Sequence, residues 1–202
     1  MTSGWPAVLR HGEVQVRPLR LRDAGAWSEI RLRNRAWLAP WEGSPPAQPP
    51  MEWADRCSPS AYAAMLRLLR REARAGRALP FAVWHRDRLV GQVTLNSIVR
   101  GALDGGALGY WVDERVAGRG VTPTAVALVV DHAFEALGLH RVEAQVSPIN
   151  PASLRVVAKL GFRREGLFER FLHIDGAWRD HLCHALLRED VPEGVLRRYL
   201  TG

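Results

Sequence analysis

Between an apolar stretch ending at Val112 and a helical pattern starting near Thr122 lies Arg115-Val116-Ala117-Gly118-Arg119-Gly120-Val121-Thr122. Glycines at 118 and 120 let the backbone curl and approach a ligand with no Cβ in the way. Thr122 is placed to cap the helix, and Pro123 suits its first position because a missing N–H costs nothing there. Amides from Gly118 to Thr122 then converge on a helix N-terminus, where backbone dipoles favour negative charge. That is the chemistry of an anion site, above all for a pyrophosphate. Two other phosphate loops fit less well. A P-loop needs a lysine that this segment lacks, and a dinucleotide fingerprint needs a third glycine where Pro123 stands. An ordinary strand-to-helix turn shares the same bare Gly-x-Gly.

A second group lies downstream. Asn150 precedes Pro151, the pattern of a helix N-cap, and its amide keeps donors and an acceptor for a ligand. Ser153 falls at the third position of that helix, where a hydroxyl commonly satisfies first-turn amides.

These segments need elements to hold them. Val14 to Leu19 alternates like a strand, and Asp23 could cap a helix running to about Asn34. Ala36 to Pro59 carries Trp37, Trp41 and Trp53 among Pro40, Pro45, Pro46, Pro49 and Pro50. Proline supplies no N–H, so the stretch reads as a loop, and its tryptophans imply that it packs on something. Ser60 to Gly76 has helical spacing at Tyr62, Met65, Leu66 and Leu69. Phe81 to Trp84 and Leu89 to Leu95 flank a hairpin turn. After a turn at Gly101 to Gly106 come a strand, Leu108 to Val112, and the clearest helix, Thr122 to Leu137, stopped by Gly138. Arg141 to Val146 reads as a strand and Pro151 to Leu160 as a short helix. Arg164 to Ile174 and Trp178 to Leu187 form a closing hairpin about Asp175-Gly176, and Glu193 to Leu200 a terminal helix. This order predicts an α/β (α+β) sandwich, a mixed sheet with helices on its faces.

The chain has 202 residues, which suits one domain spanning 1–202. Its N-terminus has no stretch apolar enough for a secretion signal, and no apolar run approaches a membrane span. Two cysteines, Cys57 and Cys183, form neither a CxxC pair nor a disulfide framework. The expected setting is cytoplasmic. A net charge of +7 would suit RNA, a ribosome or a phosphorylated cofactor, yet the arginines are scattered, as on a merely solvated surface. Nothing in the pattern points to DNA or a membrane.

Arg115-x-x-Gly118-x-Gly120 resembles the coenzyme A pyrophosphate loop of the GNAT acetyltransferase superfamily. The likeness continues in order through Gly138-Leu139-His140-Arg141-Val142-Glu143-Ala144, Asn150-Pro151-Ala152-Ser153 and Lys159-Leu160-Gly161-Phe162. Asp175-Gly176-Ala177-Trp178-Arg179-Asp180-His181 is similar to the closing hairpin of the RimJ/RimL-like ribosomal-protein-alanine N-acetyltransferases. So are Asn96 to Gly101, Leu108-Gly109-Tyr110 and Leu38-Ala39-Pro40-Trp41-Glu42. The likeness covers about residues 14–190.

The resemblance implies a GNAT fold, with strands Leu108–Val112 and Arg141–Val146 splayed around the pantetheine arm of acetyl-CoA. Backbone groups of Tyr110, Trp111 and Val112 would pair with that arm, and an amide near Val112 would polarise the thioester carbonyl. Amides of Gly118, Arg119, Gly120, Val121 and Thr122 would hold the diphosphate, with Arg115 and Arg119 adding charge. Asn150 would contact pantetheine, and Ser153 would protonate the departing thiolate. No metal is implied. Trp37 and Trp41 would line the acceptor groove and Glu42 attract the ammonium, unless the tryptophans only bury the loop. The acidic position of relatives holds Ala107, and the acidic tyrosine of some is Val157. Glu42, Asp104, Glu114 and His173 are then candidate bases acting through water.

The acceptor implied is the N-terminal alanine of a ribosomal protein, with ribosome association open and either a monomer or a homodimer allowed. A small amine, such as an antibiotic or polyamine, is the other enzymatic reading. A coenzyme A-binding or ribosome-associated module without turnover is the third.

Overall fold

A computed structural model describes residues 4–46 and 51–202; Pro49 and Pro50 of the expected loop lie outside them. In chain order the elements are β1 (Leu9–His11), β2 (Val14–Pro18), α1 (Ala24–Arg33), α2 (Arg35–Leu38), α3 (Trp53–Arg56) and α4 (Pro59–Arg74). Next come β3 (Leu79–His85), β4 (Arg88–Val99), β5 (Gly105–Val112), α5 (Val121–Glu135) and β6 (Arg141–Val146). The chain closes with α6 (Pro151–Lys159), β7 (Arg163–Ile174), β8 (Ala177–Leu187) and α7 (Val195–Thr201).

The strands form one eight-stranded sheet in the order β1-β2-β3-β4-β5-β6-β8-β7. Every neighbouring pair is antiparallel except β5 and β6, which α5 joins as a parallel crossover. Alternation along β3 sends Leu79, Phe81 and Val83 into the core beneath α5, while Ala82 meets Trp27, Tyr62 and Leu66 of α1 and α4 on the opposite face. Helices thus cover both faces, as the α/β reading expects.

Several boundaries differ from those read in the sequence. The proline-rich loop contains α2, α3 and a 3-10 turn at Ala39–Trp41, because its tryptophans bury a surface that fixes short helical turns. Asp23 stands at the start of α1 but does not cap it. Its carboxylate takes both guanidinium nitrogens of buried Arg17 (2.7 and 2.9 Å) and the Arg20 N–H. β4 runs on to Val99 through a bulge at Asn96–Val99, with Ser97 at φ +51°. The cap of α5 is Gly120, not Thr122, and Pro123 is its third residue. Gly120 at φ +79° turns the chain so that Val121, 1% exposed, already enters the core. At the C-terminus, the Asp131 carboxylate of α5 accepts the Val195 and Leu196 N–H groups and so fastens α7 to the back of α5.

Candidate active site

The parallel pairing of β5 and β6 lasts three residues. Gly105, Gly106 and Ala107 face Arg141, Val142 and Glu143, and beyond them the strands part. The edge of β5 from Leu108 to Val112 is left without a strand partner on that side. One acceptor along it is already engaged, since the Trp37 indole N–H donates to the Val112 carbonyl (3.1 Å).

Two cavities meet at this fork. One, about 270 Å³, lies toward the start of α5 and is lined by Tyr110, Gly118, Gly120, Thr122, Asn150 and Ser153 among others. The second, about 750 Å³, opens between β5, β6 and the β7–β8 hairpin. Trp41, Tyr110, Asn150 and Ser153 belong to both walls.

The smaller cavity has the donors of an anion site. No N–H from Gly118 to Thr122 donates to a backbone or side-chain acceptor among the described residues. Gly118 and Gly120 both have positive φ, at +76° and +79°. A Cβ at Gly118 would enter open space, so there the backbone angle rather than crowding selects glycine. A Cβ at Gly120 would come within 3.3 Å of the Tyr199 hydroxyl of α7. The cations lining this cavity are Arg155 and Lys159 of α6; Arg115, Arg119 and the Val121 side chain are not in its wall. The unpaired amides, the opened strand edge and these two cations suit a nucleotide-bearing pantetheine thioester.

Where the cavities join, Asn150 caps α6 by accepting the Ser153 N–H (3.0 Å). The Ser153 hydroxyl does not turn back to the helix. It lies 2.7 Å from the Tyr110 phenol oxygen. Burial pushes the Tyr110 hydroxyl up to about 12, its bond to Ser153 pulling the other way, so it is a neutral donor over the working range. Only the backbone of Tyr110 was expected to matter; its side chain is brought here because β5 turns residue 110 toward α6.

The tryptophan segment covers the site. Trp37 and Glu42 line the smaller cavity, and Trp41 lines both. Glu42 is not an unpaired carboxylate awaiting an ammonium: it pairs with Arg31 and, at 3.4 Å, with Arg56. Arg31 is 4% exposed and lies 4.8, 5.0 and 5.4 Å from the ring centres of Trp27, Trp53 and Trp111. Trp53 therefore buries the segment around Arg31, while Trp37 and Trp41 set the cavity wall. Beyond Glu42 the chain crosses to the hairpin, where Gly43 bridges Ile174 and the Ser44 N–H donates to the His173 carbonyl (2.8 Å).

Of the four base candidates read in the sequence, only Glu42 lines either of these two cavities, and it is the smaller one. Asp104 pairs with Arg100 at the closed end of β5. Glu114 follows Asp113 at the foot of α1, its N–H held by Asn34. The His173 Nδ1 lies against the Ser44 carbonyl (2.7 Å) and hydroxyl. The titratable groups in the larger cavity are others: Tyr110, Arg141, Glu143 and His181. Glu143 accepts from Arg141 (2.7 Å) and Gln145 (2.9 Å). The alternation Arg-Val-Glu-Ala-Gln-Val already placed residues 141, 143 and 145 on one face; which cavity that face lines required the fold.

Residues 13–163 match the family described as acetyltransferase (GNAT) domain. The chain is 30% identical over 181 residues to the ribosomal protein uS5-alanine N-acetyltransferase of Escherichia coli, covering 89% of this chain and 90% of that enzyme. A probable N-acetyltransferase of Bacillus subtilis, YjcK, is 47% identical over 104 residues, 52% of this chain and 58% of the relative's length. Among solved structures, Mycobacterium smegmatis RimJ in complex with CoA-disulfide superimposes with a TM-score of 0.92 at 42% identity, covering 100% of this chain and 97% of that one. Vibrio fischeri ribosomal-protein-S5-alanine acetyltransferase gives 0.79 at 30% identity, covering 91% and 98%.

Proposed function

The chain belongs to the GNAT acetyltransferase family, and we propose that this acetyl-CoA-dependent N-acetyltransferase acts on the N-terminal amine of a protein, the alanine of a ribosomal protein. The observation that carries the reading is the pair of cavities joined at Tyr110, Asn150 and Ser153. One offers unpaired amides to a diphosphate. The other, about 750 Å³, has room for several residues of an extended peptide. A small amine would leave most of it empty. Relatives named as alanine N-acetyltransferases of ribosomal proteins uS5 and S5 support the acceptor.

Acetyl-CoA supplies the acetyl group as a thioester. Amides from Gly118 to Thr122, with Arg155 and Lys159 beside them, hold the diphosphate end at the start of α5. The free edge of β5 and the Asn150 amide align the arm so that its reactive end lies at Ser153. As the C–S bond breaks, Ser153 gives the sulfur a proton, and the neutral Tyr110 phenol, in contact with its oxygen, supports that donation. A free thiol has a pKa of about 8.5, so donation from a hydroxyl suffices to ease its departure. An α-amine, at about 7.7–8.0, loses its proton far more readily than a lysine at about 10.4, which suits a site with Ala107 at the usual acidic position.

Thiol release from acetyl-CoA, measured over N-terminal peptides and small amines, tests this. Turnover should be greatest with peptides bearing N-terminal alanine, and turnover confined to small amines would overturn the reading. Mass spectrometry of ribosomal proteins from a gene-deleted strain should find one unacetylated N-terminal alanine.

A further inference from the structure

The reaction needs a group that takes a proton from the bound ammonium, and the geometry points to His181 of β8. This rests on the reading above that the acceptor occupies the larger cavity. His181 is 4% exposed, yet it is the one imidazole in that cavity's wall. Its Nδ1 lies 3.1 Å from the Arg179 carbonyl. A carbonyl only accepts, so Nδ1 carries the hydrogen, and in the neutral ring Nε2 is the nitrogen with the lone pair.

The ring is held on its other sides. Phe168 faces His181 across the β7–β8 pair, and Phe171 stands edge-on to the imidazole at 5.8 Å. Phe171 owes its position to a bulge between Phe168 and Leu172, with Arg170 at φ +48°. The Asp180 carboxylate ties that bulge by accepting the Arg170 N–H at 2.7 Å. An imidazole with a set tautomer and a set ring plane is preorganised to accept a proton.

The other charged groups facing this cavity are already paired. On β6, Arg141 donates to Glu143, which also accepts from Gln145, and to Glu165 of β7. On β8 itself Asp180 is occupied at Arg170. Tyr110, across the fork, is a neutral donor. In the wall itself Arg141 and Glu143 offset one another, and Glu165, outside it, is shared between Arg141 and Arg163, so no carboxylate there stands free to take the proton. In the step assigned here, the ammonium gives one proton to Nε2 and its nitrogen forms the C–N bond as the C–S bond breaks. The sulfur receives the Ser153 proton, and Ser153 recovers one from the nitrogen as the amide forms. The proton on His181 passes to solvent.

The test is the pH dependence of kcat for the full-length enzyme with alanine-terminated peptides whose amine pKa is varied. With His181 as acceptor, the acidic limb of kcat stays in place as the amine pKa changes. A limb that tracks the amine pKa in the unmodified enzyme overturns the proposal, while measurable peptide turnover preserves the functional reading. His181→Asn and His181→Gln should lower kcat about a hundredfold, lose the fixed limb and keep CoA affinity. Added imidazole should restore part of the rate. A folded variant, with unchanged CoA affinity, that retains kcat within about twofold overturns the assignment.

Discussion

The phenol oxygen of Tyr110 lies 2.7 Å from the Ser153 Oγ, joining the free edge of β5 to the capped start of α6. If this contact supports proton donation to the leaving sulfur, Ser153→Ala should lower kcat about a hundredfold and Tyr110→Phe by less. The double variant should match Ser153→Ala alone, because both act through one hydroxyl. CoA affinity, measured calorimetrically, should change little.

The same pair makes a pH prediction. Burial holds the Tyr110 phenol protonated up to about 12. No fall in kcat attributable to it should occur between about pH 7 and 10, and the profiles of the wild type and Tyr110→Phe should keep one shape there. An alkaline limb that disappears in Tyr110→Phe would contradict its neutral role.

The loop glycines separate two effects. Gly118→Ala meets open space and suffers only from its positive φ, a cost of about 1 kcal/mol. Gly120→Val adds a clash with the Tyr199 hydroxyl. CoA binding should weaken about fivefold in the first and considerably more in the second. Tyr199→Ala in the Gly120→Val background should recover only the steric part.

Asp113 ties the end of α1 to the approach to the loop, accepting from Arg33, Asn34 and the Arg115 N–H. Burial alone would raise its pKa, but these bonds outweigh it and hold the carboxyl below its ordinary value. A depressed pKa contributes stability that is present above the unfolded value, about 3.9, and lost as pH falls through the folded one. Asp113→Asn should therefore cost about 2 kcal/mol at pH 7, and the gap to wild type should narrow in acid below about pH 4. Thermal melts across pH measure both.

Arg31 is the pin of the tryptophan segment, buried among Trp27, Trp53 and Trp111 and paired with Glu42. Arg31→Met should destabilise by about 3 kcal/mol and shift tryptophan emission to the red. Arg31→Lys keeps the charge but not the planar stack, and should fall between.

The sheet-and-helix order was legible because Val126, Val129, Val130 and Phe134 keep helical period and Arg141 to Val146 alternates. Strand ends were less so. β4 runs past Leu95 because a bulge at Ser97 restores pairing with Gly105, a partner distant in sequence. The helical turns around Trp37 and Trp53 were hidden by prolines; burial against Arg31 and Trp111 overrides local preference there. The cap of α5 moved from Thr122 to Gly120 because Val121 gains more from the core than from a loop.

By itself the sequence determined the donors: glycines at 118 and 120, an asparagine before Pro151, and a serine three residues after it. These follow from local backbone chemistry, which needs no distant partner. Only the tertiary structure decided what meets them. It brought Tyr110 to Ser153, withdrew Glu42 into a pair with Arg31, and set His181 in the wall of the larger cavity. Those relationships depend on where β5 and β6 stop pairing and on the register of β8 against β6 and β7, and both are fixed by packing between residues far apart in the chain.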